Sequence, residues 1–252
     1  MKHEYFEKAV IYHLPEIQST NDWLKLEYKS SKIAEGSAVR TEFQLAGRGQ
    51  RTNVWESEKN KNLLCSVFLK PEFLSLDKQF YLSMAVSLAV HDVVSVFIPG
   101  VKVKWPNDIY VENKKLGGIL IENSIMGSTY GSSIIGLGLN INQLQFSGAV
   151  PNPTSMSLIT NNELDVKLIF SQFLAALFLR YKQLKSNDLC AIKSEYLSKL
   201  YQFNQWCKYE AAGKVFIARI TEVHELGSLQ VETQSGELQY FGFKEIVFLN
   251  QP

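Results

Sequence analysis

Side chains capable of chemistry gather in four short runs. They are Gly47-Arg48-Gly49-Gln50-Arg51 with Trp55 following, Lys104-Trp105-Pro106-Asn107-Asp108, Lys115-Leu116-Gly117-Gly118, and Gly136-Leu137-Gly138-Leu139-Asn140. Each sets a glycine or a turn beside a cationic or amide group. That pairing suits anions, because a missing side chain lets a ligand meet bare backbone N–H groups while the cation supplies charge. Gln44, Trp55 and Ser57 add an amide, a stacking surface and a hydroxyl around the first run, which fits a loop that closes over a phosphate and a flat heterocycle. Asp108 and Lys115, across a predicted hairpin, bring a carboxylate and an ammonium to one cleft. Glycines on two successive strands, Gly117 and Gly118 then Gly136 and Gly138, open a patch of sheet to a ligand. Asn140 and Asn142 read either as amides at its rim or as turn formers.

These runs need elements to hold them. Ser19-Thr20-Asn21 ahead of Asp22-Trp23-Leu24 reads as a capped helix start, running to about Lys29. The β-prone runs 37–43 and 63–69 flank the glycine-rich loop, which hangs between two strands. Apolar residues at Leu82, Val86, Ala89, Val93 and Phe97 keep helical spacing over 78–97, and Met84 and Leu88 make the other side apolar too, so this helix lies deep against a sheet. Strands over 101–104, 109–111, 116–123 and 132–142 form a meander with turns at 106–108 and 112–114, favouring antiparallel pairing. Helices follow near 165–184 and along the Leu189, Ile192, Tyr196, Leu200 stripe. After Gln205, β-prone runs at 215–223, 229–233 and 238–243 alternate with Gly213, Gly227 and Gly236, the pattern of a small barrel. Domain limits of 1–206 and 207–252 follow, with the second too small to stand comfortably alone.

Composition bounds the partners. The chain has 252 residues, and 26 Lys and Arg nearly balance 25 Asp and Glu, leaving a net charge of +1 and no broad field for a nucleic-acid backbone. Cys65, Cys190 and Cys207 have no disulfide or zinc spacing, which fits a reducing cytoplasm. The charged and aromatic N-terminus is unlike a secretory peptide, and no apolar run approaches the roughly 18 residues of a membrane span. The expectation is a cytoplasmic protein without membrane or nucleic-acid partners.

In order and wording, Ser19-Thr20-Asn21, the run from Gln44 to Arg51 with Trp55, KWPND, KLGGILIE, and GLGLNIN followed by Pro153-Thr154-Ser155 resemble biotin protein ligases, over roughly residues 10 to 250. The resemblance implies an α+β fold: a central mixed, largely antiparallel sheet with helices, related to class II aminoacyl-tRNA synthetases, plus a C-terminal SH3-like barrel. It implies activation of biotin by ATP and Mg2+ to biotinyl-5'-AMP, then transfer to a lysine of a biotin carboxyl carrier protein. Ser19, Thr20 and Gln44 would then bond biotin's ureido ring. Gly47, Arg48, Lys115 and Gly118 would border its tail and activated carboxylate. Arg51, Trp55, Asn107 and Asn140 would bind the nucleotide, with Trp55 stacked on adenine. Lys115, Arg48 and Asp108 would be catalytic, and Asp108 is the candidate for contact with the metal.

The alternatives are a lipoate ligase or a non-catalytic biotin sensor. With 18 residues before Ser19, the winged-helix domain of repressor-type relatives is not expected. The assembly is expected to be a monomer or homodimer. Gln50, Thr52 and Asn53 stand where the family usually has Arg, Gly and Arg, which predicts weaker retention of the adenylate. The Phe248-Leu249-Asn250 ending lacks a basic residue that some relatives place near the phosphates.

Overall fold

The computed structural model describes residues 6–30, 33–50, 53–127, 129–147 and 152–249. Seven strands build a mixed sheet: β1 (Ile11–Ile17), β2 (Ala38–Gln44), β3 (Leu63–Leu69), β4 (Val101–Lys104), β5 (Asp108–Val111), β6 (Lys114–Met126) and β7 (Thr129–Leu139). Their order is β1-β2-β3-β7-β6-β5-β4, with β1–β2 parallel and every other pair antiparallel. The predicted meander is present. Strand β1 went unpredicted because Pro15 interrupts its alternation; Pro lacks a ladder donor and is tolerated here on a sheet edge.

Alternation along β7 divides the molecule. Ile135, Leu137 and Leu139 face the main core with Cys65, Val67 and Leu69 of β3. Residues of opposite parity, Ile134, Gly136 and Gly138, turn to the other face with Phe68 and Ser66. On the core side lies α2 (Phe80–Ser95), which buries residues around its whole circumference because α4 (Val166–Lys185) and α5 (Leu189–Lys199) cover its back. On the glycine side lies α1 (Thr20–Lys29), capped by Ser19 as expected and packing Leu24 in a smaller apolar cluster. A short α3 (Met156–Thr160), capped by Ser155, was not foreseen.

Five further strands form a separate antiparallel sheet: β8 (Cys207–Ala211), β9 (Lys214–Val223), β10 (Leu229–Thr233), β11 (Leu238–Phe241) and β12 (Val247–Phe248), in the order β11-β10-β9-β8-β12. It docks through the β9–β10 turn. The Trp105 indole N–H donates to the Gly227 carbonyl at 2.9 Å, and the Phe80 N–H donates to the Glu225 carbonyl at 3.0 Å. Gly227 has φ +98° there, and a Cβ would come within 2.7 Å of the Phe80 ring, so the turn requires glycine on both counts. Cys65 and Cys207 are buried, and Cys190 on α5 is exposed. No helix among the described residues is long and apolar enough to cross a membrane.

Candidate active site

Gly118 and Gly138 are paired residues of β6 and β7, and together they form a bare floor. The Trp55 ring lies on it: a Cβ on Gly138 would approach the indole to 2.4 Å and one on Gly118 to 3.2 Å. The expected opening in the sheet is present, and Trp55 covers it. Gly117 points the other way and packs on Leu139. Gly136 makes space for Asn21, whose Oδ1 would be 2.4 Å from any Cβ.

A polar nest closes one end. Gln44 Oε1 accepts from the Thr20 N–H at 2.8 Å and the Thr20 hydroxyl at 3.1 Å, while Ser66 Oγ lies 2.7 Å from Thr20 Oγ1 and 2.5 Å from Asn21 Oδ1. Ser19, Thr20, Asn21 and Ser66 are all buried. Polar groups buried this deeply are kept only where they satisfy one another or a ligand. Gly47 brings the loop over this nest, since a Cβ would strike the Trp55 carbonyl at 2.5 Å. The loop is fastened by the Trp55 N–H donating to Gly47 O at 2.9 Å and the Gly49 N–H to Asn53 O at 2.7 Å.

A lysine–aspartate pair lies at the other end, and a second charged group flanks the nest itself. Lys115 Nζ meets Asp108 Oδ1 at 2.7 Å and stands 5.8 Å from the Trp55 ring centre. The backbone of Lys115 is clamped by the 152–154 loop, its N–H donating to Asn152 O at 2.7 Å and its carbonyl accepting from the Thr154 N–H at 2.9 Å. The predicted pairing across the hairpin is therefore direct. Arg48 Nη2 bonds Asp22 Oδ1 at 2.7 Å and Glu122 Oε2 at 2.8 Å. Glu122 also accepts from Asn21 Nδ2 at 2.8 Å. Sequence reasoning missed Asp22, Glu122 and Ser66. The signal for Glu122 was its parity with Gly118 in the KLGGILIE strand, and Asp22 was read only as part of a capped helix start. Arg48 thus faces two carboxylates beside the nest and Lys115 faces one at the far end, with both contacts of Arg48 made through Nη2.

Other expected residues have mixed placements. Asn107 donates its amide to the Ile119 carbonyl at 2.6 Å and accepts the Ile119 N–H at 2.9 Å on its own carbonyl, so it fixes the course of β6. Asn140 donates to the Thr154 carbonyl at 2.9 Å, and its Oδ1 is buried without a partner beside a small cleft lined by Trp55, Lys115 and Pro153. Asn142 is used structurally, holding Leu164 and Ser157. Arg51 and Thr52 lie outside the described residues.

Trp105, in the same run as Lys104 and Asp108, is buried against the C-terminal sheet, 5.4 Å from the Phe243 ring, and the Trp105–Pro106 bond is cis. Lys104 turns away into a box of Tyr110, Tyr201 and Phe248, with its Nζ 4.4, 5.8 and 5.1 Å from the ring centres. Burial holds its ammonium below the usual lysine range, with Asp108 opposing that shift and Lys115 adding to it. Among the described residues no group of three or more His, Cys, Asp or Glu is placed to hold a metal ion.

The profile of the Biotin/lipoate A/B protein ligase family matches residues 14–140. The chain is 27% identical over 241 residues to the bifunctional ligase/repressor BirA of Bacillus subtilis (strain 168), covering 94% of this chain and 73% of that protein. It is 28% identical over 212 residues to the biotin--[acetyl-CoA-carboxylase] ligase of Paracoccus denitrificans, covering 81% and 83%. Its fold superposes on the biotin protein ligase of Aquifex aeolicus solved with biotin and ATP, with a TM-score of 0.79, 23% identity, and 96% and 99% of the two chains covered. The glycine floor, the polar nest and the Lys115–Asp108 pair all lie within or beside the segment that the family profile matches, and the chain belongs to the biotin/lipoate A/B protein ligase family.

Proposed function

We propose that this protein joins biotin to ATP, giving biotinyl-5'-AMP and diphosphate, and passes the biotinyl group to a lysine of a biotin carboxyl carrier domain. The observation that carries this reading is the Lys115–Asp108 pair at 2.7 Å beside the Gly118–Gly138 floor, with the buried nest of Thr20, Asn21, Gln44 and Ser66 at the other end. Such a site takes a polar ring at one end and a carboxylate at the other. A nest of hydroxyls and amides suits a ureido ring better than an apolar dithiolane, which argues against lipoate.

Biotin's carboxylate and the α-phosphate of ATP repel by roughly 4 kcal/mol at about 4 Å with an effective dielectric near 20. Lys115, held by its backbone clamp, offsets that repulsion most where charge concentrates in the transition state. Arg48 contributes through guanidinium N–H groups other than the Nη2 that meets Asp22 and Glu122. Magnesium would supply further positive charge, and Asp108 is the residue that would contact it. The free Asn140 Oδ1 suits the amino group of adenine. In the second step the carrier lysine, near pKa 10.4 in water, has to lose a proton before it attacks. Asp108 guides that proton, and Asp108→Asn is expected to slow transfer from preformed biotinyl-AMP; transfer at the unaltered rate would remove Asp108 from the role.

This reading divides the chain at residue 207 into a ligase domain and an SH3-like barrel, supported by the two separate sheets. Incubation with biotin or lipoate, MgATP and a carrier domain, followed by mass spectrometry of the carrier, tests it. A mass increase of one biotinyl group is expected; a lipoyl increase, or no change, would overturn it.

A further inference from the structure

Away from the glycine floor, a cavity of about 180 Å³ opens at the seam between the main sheet and the C-terminal sheet. Ile119, Ile121 and Asn123 of β6 line it. By strand alternation these three face away from Gly118 and Glu122, so the cavity lies around the strand from the charged site. Its far wall is Phe80, Ser83 and Ser87 of α2, with Leu226 and Phe243 of the C-terminal sheet above. Two residues connect it to the site: Gln50 of the glycine-rich loop, and Asn107, which directly precedes Asp108.

Three features restrict the occupant. Every residue that lines the cavity is uncharged, although cations and carboxylates crowd the site next door. A charged group would lose its hydration here with nothing to replace it. The volume is well below the roughly 300–1,000 Å³ of sites that enclose drug-sized ligands, so it holds one large side chain rather than a second vitamin or nucleotide. Ser87, 1% exposed, sets a buried hydroxyl beside Ser83 and Asn123 in the lining, so the walls offer hydrogen-bonding groups without offering charge.

We infer that this cavity receives a large uncharged side chain of the acceptor polypeptide, from a residue close in sequence to the lysine that is modified. The inference rests on the ligase reading above and names how its protein substrate is gripped. Asn107 lines the cavity and directly precedes Asp108, so the cavity is within reach of a chain that presents a lysine at the Asp108 corner. A residue two positions along an extended strand is displaced by about 7 Å, a step of the right order to pass from that corner to the cavity. The cavity thereby separates recognition of the protein from recognition of biotin and nucleotide.

The test blocks the cavity and compares two nucleophiles. Leu226→Trp covers the mouth from a position 59% exposed to solvent, and Ser87→Met fills the floor. Each is assayed for biotin-dependent exchange of diphosphate with ATP, for biotin transfer to hydroxylamine, and for transfer to a carrier domain of acetyl-CoA carboxylase. Exchange and transfer to hydroxylamine are expected within twofold of the unaltered protein, while KM for the carrier rises at least tenfold. An unchanged carrier KM in folded Leu226→Trp overturns the proposal, as does equal slowing with both nucleophiles. If Ser87→Met fails to fold, as a thermal melt would reveal, Leu226→Trp decides alone. Absence of biotin-dependent exchange in the unaltered protein would instead overturn the ligase reading, and this proposal with it.

Discussion

The two faces of β7 obey opposite rules. Toward α2, Ile135, Leu137 and Leu139 interlock with β3 and the helices, and each is 3% exposed or less. Toward α1, Gly136 and Gly138 offer no side chains, so Asn21 and Trp55 rest on backbone. One strand thus contributes packing from one side and access from the other, and the alternation of large and absent side chains carries that division in the sequence itself. Damage to the glycine face should reach activity before stability, and damage to the packed face the reverse.

The largest effect is expected on the open face. Lys115→Ala should lower biotin-dependent exchange of diphosphate with ATP by about a hundredfold to a thousandfold, as loss of one fixed transition-state charge does; exchange at the normal rate would remove Lys115 from the first step. Gly138→Val sharpens the contrast, because its side chain takes the space of the Trp55 indole. Exchange is expected to fall about a hundredfold through misplacement of Trp55, with a melting temperature close to the original. Leu137→Ala is the mirror experiment: a loss of roughly 2–5 kcal/mol in denaturant unfolding, with exchange in the folded fraction little altered. A reversed pattern between these neighbours would break the comparison.

The smallest effect concerns the helices that back the packed face. Arg180 on α4 ties Asp92 of α2, at 2.8 and 3.0 Å, to Glu195 of α5, at 2.5 and 2.7 Å. Arg180→Leu is expected to cost about 1–3 kcal/mol, toward the lower end because both carboxylates are partly open to water. Hydrogen bonding from Arg180 lowers the Glu195 pKa. The folded state therefore prefers Glu195 ionised, so this stabilisation is complete above the ordinary glutamate range and is lost as pH falls through the lowered value. Unfolding measured against pH should show a shallower acid limb in the variant.

How far the sequence revealed these arrangements depended on how local their causes were. The Ser19 cap, the circumferentially apolar α2 and the paired glycines are written in neighbouring residues, and each is present. Strand β1 was hidden by Pro15, and β12 is a two-residue run whose partner, β8, lies far back in the chain. In the site, the Lys115–Asp108 pair follows from a hairpin and could be anticipated. The hold of Asp22 and Glu122 on Arg48 joins three separate segments, and no spacing rule links them. The burial of Trp105 was not legible for a related reason: its partner, Gly227, lies in the other sheet.

The distribution of thiols has a practical consequence. Burial pushes the Cys65 and Cys207 thiols above their ordinary range, away from the reactive thiolate, while Cys190 stands exposed on α5. A maleimide dye added to the folded protein should therefore attach at a single position without mutagenesis. That label sits on the helical back of the molecule, ready to report the approach of an acceptor-tagged carrier by energy transfer.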